Sequence, residues 1–327
     1  MEDLPVEVIG NILSHLRAAR DVVVASATCK QWREAFQHHL SSLTFHDLDF
    51  SPINDRGFTS RRLESIITQT IQQTKGLQCL KFFLSDVDND LCADDVLVWL
   101  MHARDTLREL YLHVSIYPRI NILQKCPWQK LEVLHLAHVS ISGAADSCEE
   151  FPCLKTLRLE DVSARGRDFC FLLSLFPKIE NLTLVNLDVY PEAIISLISV
   201  SLKTIDVVEM DLVQFILEAD SLEYLHLQMC NFGHFKLIGK GTLKVLNIDV
   251  ARIAYFDIQD NMESLQIVDV NESSIKVPKL YNMISKLSNL RRLPLWHVNF
   301  ENVDEVIDLE SISATFPQRF LYSDVED

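Results

Sequence analysis

Leu131-Glu-Val-Leu-His-Leu136 carries apolar side chains at its first, fourth and sixth positions. On an extended strand Leu134 and Leu136 point to one side and His135 to the other. Leu131 packs beside them as the chain enters the strand. One such strand cannot bury its apolar side alone, so the hexad must recur. Upstream it returns at 107–112 (LRELYL). Downstream it returns at 154–159 (LKTLRL), 179–184 (IENLTL), 202–207 (LKTIDV), 222–227 (LEYLHL), 243–248 (LKVLNI), 265–270 (LQIVDV) and 290–295 (LRRLPL). From start to start the steps are 24, 23, 25, 23, 20, 21, 22 and 25 residues. Two degenerate copies, Leu40-Ser-Ser-Leu43-Thr-Phe45 and Leu77-Gln-Cys-Leu80-Lys-Phe82, come before them. Strands repeating at this interval stack in parallel and share one continuous core. Each buried leucine contributes roughly 1.5–3 kcal/mol, so three per repeat can offset the entropy of ordering a long chain.

That period, with that hexad, marks a leucine-rich-repeat solenoid. The expected fold is α/β, with the hexads forming the parallel sheet on the concave side of a horseshoe. The rest of each repeat returns over the convex side. Helical returns are expected at 61–74, with Leu63, Ile66, Ile67 and Ile71 inward and Gly76 as the stop. Others are expected at 93–104, with Val96, Leu97, Leu100 and Met101 inward, and at 169–176 and 191–199. Pro127, Pro152 and Pro177 each stop a return a few residues before a strand. Between 202 and 270 the steps shorten, and FGHFKLIGKG and ARIAYFDIQD have no helical face, so extended returns are expected there. Pro294 removes a ladder donor from the last hexad and predicts a loss of regularity. Residues 301–327 read as an irregular acidic segment in which Phe316-Pro317 announces a further hexad that does not follow. It is either a shortened repeat or the array's own end.

Bulk composition narrows function. The chain has 327 residues, a net charge of −16 and a pI near 5.1. Nucleic acid and anionic membranes call for a basic face, so neither is an expected partner. No apolar run is long enough to span a bilayer, and MEDLPVEVIG does not have the basic-then-apolar order of a signal peptide. The eight cysteines form no C-x-x-C pair, which predicts reduced, mostly buried thiols in a cytoplasmic or nuclear protein. Asp86, Asp88, Asp90 and Asp94 resemble a calcium loop, but its glycine position is Leu91 and its final glutamate position is Leu97. His135 and His138 fall on opposite sides of a strand and have no completing ligand, and Cys148 and Cys153 have no matching pair. No G-x-S-x-G, phosphate-cradling glycine loop or H-E-x-x-H is present. No catalytic residue, metal site or cofactor is expected.

Residues 1–40 break the repeat. Asp3 and Pro5 suit a helix start, and Val8, Ile9, Ile12, Leu13 and Leu16 recur at helical spacing. Asp21 is placed to cap a second helix, and Trp32 and Phe36 share a face of a third. The order Leu4-Pro5-x-Glu7, Ile12-Leu13-Ser14-x-Leu16 and Cys29-Lys30-x-Trp32-Arg33 resembles an F-box. With the repeats at 41–300 behind it, the chain is similar to plant-type F-box/leucine-rich-repeat proteins. The resemblance implies that the F-box docks a Skp-family adaptor, that the adaptor docks a cullin, and that the repeats hold a protein substrate for ubiquitin transfer. By motif position it assigns Leu4, Pro5, Glu7, Ile9, Ile12, Leu13, Leu16 and Trp32 to making or supporting the adaptor interface.

Substrate contacts are expected at positions the solenoid displays but does not need: the fifth of each hexad and the residue two further on. Tyr111, His135, Arg158, His226 and Trp296 stand out, since Tyr, Trp and Arg are common interface anchors. Together these readings imply a non-catalytic substrate receptor of a ubiquitin ligase. Two alternatives stay open: a repeat scaffold whose F-box-like segment is only a cap, and a receptor of the same class that needs a small-molecule ligand.

Overall fold

A computed structural model describes residues 4–46, 60–84, 90–125, 128–141, 149–190, 193–258, 263–275, 289–296 and 299–300. Asp3, Asp86, Asp88, Cys126, Pro127, Cys148, Pro191 and residues 301–327 lie outside the described residues, and so do the expectations placed on them. The chain divides into two compact units, Met1–Ser163 and Ala164–Asp327.

The first unit opens with helices α1 (Val6–Ser14), α2 (Ala19–Ser26) and α3 (Lys30–His38). Ile9, Leu13, Val22, Ala35, Phe36 and Leu40 fill their small core. Pro5 is the N-cap residue of α1, and its fixed φ suits helix entry. Asp21 does not cap α2: Ala18 holds that place and Asp21 sits in the first turn, where a carboxylate favours the helix dipole. Gly10 lets α1 approach the end of α3, because a Cβ there would lie 2.5 Å from both Cβ and O of His39. Ser14 then ties the three-helix segment to the repeats: its hydroxyl donates to Gly10 O at 2.9 Å and accepts from the Ser41 N–H at 2.9 Å.

Strands β1 (Ser42–His46), β2 (Cys79–Leu84), β3 (Glu109–Val114), β4 (Val133–Ala137) and β5 (Thr156–Glu160) follow in parallel register. Leu43, Leu80, Leu110, Leu134 and Leu157 stand side by side, as do Phe45, Phe82, Leu112, Leu136 and Leu159, all buried. These are the fourth and sixth hexad positions, the two degenerate copies included. Helices α4 (Ser60–Gln72) and α5 (Ala93–Ala103) are the expected returns. Their inward faces differ in detail. Leu63, Ile67 and Ile71 are buried one turn apart, but Ile66 is turned outward. On α5 the buried set is Ala93, Val96, Trp99, Leu100 and Ala103; Leu97 is half-buried and Met101 is exposed. Trp99 decides that rotation: its ring stacks on Phe82 at 5.4 Å and its Nε1–H donates to Thr68 Oγ1 at 2.7 Å.

Among the described residues the second unit has one helical return, α6 (Gly166–Leu172), continued by a 3-10 turn at Leu173–Leu175. Its hexads form β6 (Asn181–Val185), β8 (Thr204–Val208), β10 (Tyr224–Gln228), β12 (Val245–Asp249), β13 (Ile267–Asn271) and β14 (Leu295–Trp296). Between them run β7 (Ile194–Ser199), β9 (Asp211–Ala219) and β11 (Asn231–Ile238), which form a second parallel sheet. The extended returns expected after 202 are therefore present, but the helix expected at 191–199 is a strand. The reason is its period: Ile195 and Leu197 are fully buried while Ile198 is exposed, an alternation of two rather than 3.6. The second sheet supplies an aromatic core. Phe215, Phe235 and Phe256 are in register, with ring centroids 5.6 and 5.3 Å apart. Pro294 does interrupt the last hexad. β14 is two residues long, and before it an isolated bridge joins Ile267 to Arg292, with Val268 N–H donating to Arg292 O and Val270 N–H to Pro294 O.

One feature recurs in both units. The eighth residue of each repeat from His138 to Glu272 has positive φ: His138, Asp161, Asn186, Glu209, Met229, Val250 and Glu272, at 43–59°. The turn aims the backbone N–H at the next strand. His138 N donates to Glu160 O at 3.0 Å, Glu209 N to Gln228 O at 2.9 Å and Val250 N to Asn271 O at 3.0 Å.

Candidate functional site

Three surfaces bear the residues singled out above. The first is the three-helix segment. Ile9 and Leu13 point inward with 0% exposure, so they hold α1 in place and do not present a surface. Val8 and Ile12, one turn apart on α1, are 43% and 42% exposed, and Leu4 stands one turn before them. Pro5 and Glu7 are exposed; Leu16 and Trp32 are half-buried. The Gln31 side-chain amide donates to Leu4 O at 2.6 Å, which fastens the Leu4 segment to α3. The result is an apolar stripe held by a packed support.

The second surface is the outward face of β1–β5. The register brings Lys81, Tyr111, His135 and Arg158 into one row. Lys81 Nζ lies 4.4 Å from the Tyr111 ring centroid, and the Tyr111 and His135 rings are 4.3 Å apart. Arg158 is turned to Glu160 by hydrogen bonds of 3.0 and 2.8 Å. A second row holds His46, Phe83 and His113, with centroids 4.9 and 5.2 Å apart. Burial, helped by the Arg158 charge, lowers the His135 imidazole from 6.5 to about 4, and burial also lowers His113. His135 is therefore neutral at physiological pH, and the rings together present an aromatic platform. Burial also pushes the Cys79 thiol beside it up to about 11. The expectation of mostly buried thiols needs correcting: of the six described cysteines, all free, only Cys230 is buried and Cys29 is exposed. His138 does leave this face, on its left-handed turn, and meets Asp161 at 3.5 Å.

The third surface is the outward face of the hexad strands in the second unit. His226 and Trp296 line one cavity of about 420 Å³ there, with Asn247, Asp249, Asp269 and Asn271. Asp206 Oδ1 is 3.3 Å from His226 Nδ1. Asn271 donates to Asp249 at 2.7 Å and Asn247 donates to the Tyr224 hydroxyl at 3.2 Å. So Tyr111, His135 and Arg158 form one group, and His226 and Trp296 belong to another. Lys81, Phe83 and His46 went unnoticed in the sequence. Counting five and seven from Leu77 finds the first two, and counting seven from Leu40 finds the third. Among the described residues no group of three or more His, Cys, Asp or Glu is arranged to hold a metal ion, and no helix is long and apolar enough to cross a membrane.

Comparison with known proteins gives these surfaces a setting. The F-box-like family model matches residues 1–42, and the model of the LRR repeats of FBD-associated F-box protein At5g56370 matches residues 99–267. F-box/LRR-repeat protein At1g67190 of Arabidopsis thaliana is 49% identical over 319 residues, 97% of this chain and 75% of that protein. F-box protein At1g10780 of the same plant is 24% identical over 57% of this chain and 44% of its own length. Putative FBD-associated F-box protein At5g22720, also from Arabidopsis thaliana, is 25% identical over 89% of this chain and 62% of its own length. With an F-box-like segment ahead of stacked leucine hexads and a relative this similar over nearly its whole length, the chain belongs to the F-box/leucine-rich-repeat family.

Proposed function

We propose that this chain is the substrate-recognition subunit of a ubiquitin ligase of the Skp–cullin–F-box type. The observation that carries the reading is the apolar stripe of Leu4, Val8 and Ile12, left uncovered on helices whose own core is already filled by Ile9, Leu13 and Phe36. A segment that only capped the repeats would turn its apolar side chains toward them. Here the stripe is the docking surface for a Skp-family adaptor, through which a cullin is reached. The hexad faces hold a protein substrate. No bond is made or broken by this chain: it raises the local concentration of substrate beside the ubiquitin-carrying enzyme.

The test is co-purification of the full chain with a Skp-family adaptor. Val8→Glu and Ile12→Glu each place a charge on an exposed site, so they should abolish capture while leaving the melting temperature within about 2 °C, as surface changes do. Wild-type protein that captures no adaptor, or variants that capture it as well as wild type, would refute the proposal.

A further inference from the structure

The outward face of the second unit differs in chemistry from that of the first. At the fifth and seventh hexad positions from Thr183 to Trp296 there is no Lys and no Arg; instead Asp206, His226, Asn247, Asp249, Asp269 and Asn271 are found there. The last four of these share a cavity of about 420 Å³ with His226 and Trp296, and among the described residues no Lys or Arg lines it. It is open to solvent, and its volume is enough to seat one side chain.

The hydrogen bonds inside it orient its polarity. The Asn271 amide spends a donor on Asp249 Oδ1 at 2.7 Å, and Gln228 donates to the other oxygen at 3.5 Å. The Asn247 amide spends a donor on Tyr224 at 3.2 Å. Both asparagines thus keep their side-chain carbonyl oxygens as acceptors. Among the described residues no side-chain donor meets Asp269, which faces the same space. Trp296, 43% exposed, adds an indole to the wall. Several acceptors around a π-face, with two carboxylates and no Lys or Arg among the described lining residues, match a flat cation with many donors. A guanidinium has five N–H groups and stacks on indole; an ammonium is a hydrated point charge that uses fewer of these acceptors.

We propose that the cavity bounded by His226, Asn247, Asp249, Asp269, Asn271 and Trp296 receives an arginine side chain of the protein substrate. This rests on the reading of the chain as a substrate receptor. The guanidinium stacks on Trp296 and donates to Asp249 and Asp269, and the asparagine carbonyls take its remaining N–H groups. The substrate class is therefore a protein with an accessible arginine, not an acidic or phosphorylated segment.

The experiment is selection of a phage-displayed random peptide library on the immobilised full chain, read by sequencing. Arginine should be enriched over its input frequency, and over lysine. The best enriched peptide should lose at least about tenfold in affinity, the factor for one 1.4 kcal/mol contact, when its arginine is replaced by citrulline, or when the receptor carries D249N, D269N or W296L. D188N removes an exposed carboxylate elsewhere in the unit and should leave affinity unchanged. Peptides without arginine, equal binding of the citrulline form, equal loss in D188N, or free L-arginine competing as well as the peptide would each overturn the proposal. Adaptor capture is measured on the same preparations. Arginine selection without adaptor capture sinks the ligase reading alone, and capture without arginine selection sinks this inference alone.

Discussion

Glu209 and Glu218 are both exposed glutamates in the second unit, and replacing each by glycine should move stability in opposite directions. Glu209 has a φ of 53° and Glu218 lies inside strand β9. A non-glycine residue in the left-handed region costs roughly 1–2 kcal/mol, because Cβ crowds the following carbonyl. Glycine lacks that Cβ but frees the unfolded chain, at a cost of roughly 0.5–1 kcal/mol. Glu209→Gly should therefore gain about 0.5–1 kcal/mol. The bond from its N–H to Gln228 O at 2.9 Å is unaffected, since it belongs to the backbone. At Glu218 no strain is relieved, so only the entropic cost remains and Glu218→Gly should lose about 0.5–1 kcal/mol. The assay is urea unfolding of both variants and wild type, compared by midpoint at unchanged slope. In heat the same differences are about 1–4 °C of opposite sign. Equal signs, or a Glu209→Gly midpoint at or below wild type, would show that the left-handed turns are not strained.

Other predictions test other parts of the molecule. Gly10→Ala should cost about 1–3 kcal/mol, as overpacking does, because the new Cβ meets His39 backbone and Cβ at 2.5 Å; the readout is faster amide exchange in α1 and α3. Phe235→Ala, between the edge-on ring of Phe215 and the stacked ring of Phe256, should cost about 3–5 kcal/mol in urea unfolding. The fold keeps His135 neutral down to about 4 against an ordinary 6.5. Its contribution is thus complete above about 6.5 and is lost as pH falls from there toward 4. His135→Gln should flatten the fall in urea midpoint over that window, and an unchanged slope would contradict the assignment.

The fold was legible because burial imposes one rule on every repeat. Leu134 and Leu136 must face inward, and so must their counterparts, so the hexad period is written in the least substitutable residues. Where the rule weakens, so does the reading. Residues 194–199, Ile-Ile-Ser-Leu-Ile-Ser, satisfy either a helix or a strand over so short a run, and tertiary pairing with β9 decides for strand. Spacing turns Met101 inward as readily as Trp99, because it does not say which large side chain finds a partner such as Phe82 and Thr68. The left-handed eighth position left no trace. His, Asp, Asn, Glu, Met, Val and Glu occupy it, and only the Asn, Asp and His favour that conformation. The bond that the turn aims at the next strand belongs to the main chain, so any side chain can stand there.

A different regularity was visible and went unread. The second hexad position runs Arg108, Glu132, Lys155, Glu180, Lys203, Glu223, Lys244, alternating in sign. Glu132 lies 2.7 Å from Arg108 and 3.0 Å from Lys155; Glu180 is 3.0 Å from Lys203 and Glu223 2.8 Å from Lys244. Exposed pairs of this kind each contribute no more than about 1 kcal/mol. Their value is specificity, since exchanging neighbouring strands sets like charges side by side. The register is thus fixed twice, by leucines within and by charges along one edge. The fifth and seventh positions are left outside both rules. No such alternation appears there: aromatic rings gather on β2–β4, and acceptors gather without Lys or Arg on β8–β13. Stacking neither requires nor forbids either bias. A bias that folding does not impose, at positions facing solvent, is where the demand of a partner shows. That argument singles out Asp249, Asp269 and Trp296 above the other residues on the outward hexad face of the second unit.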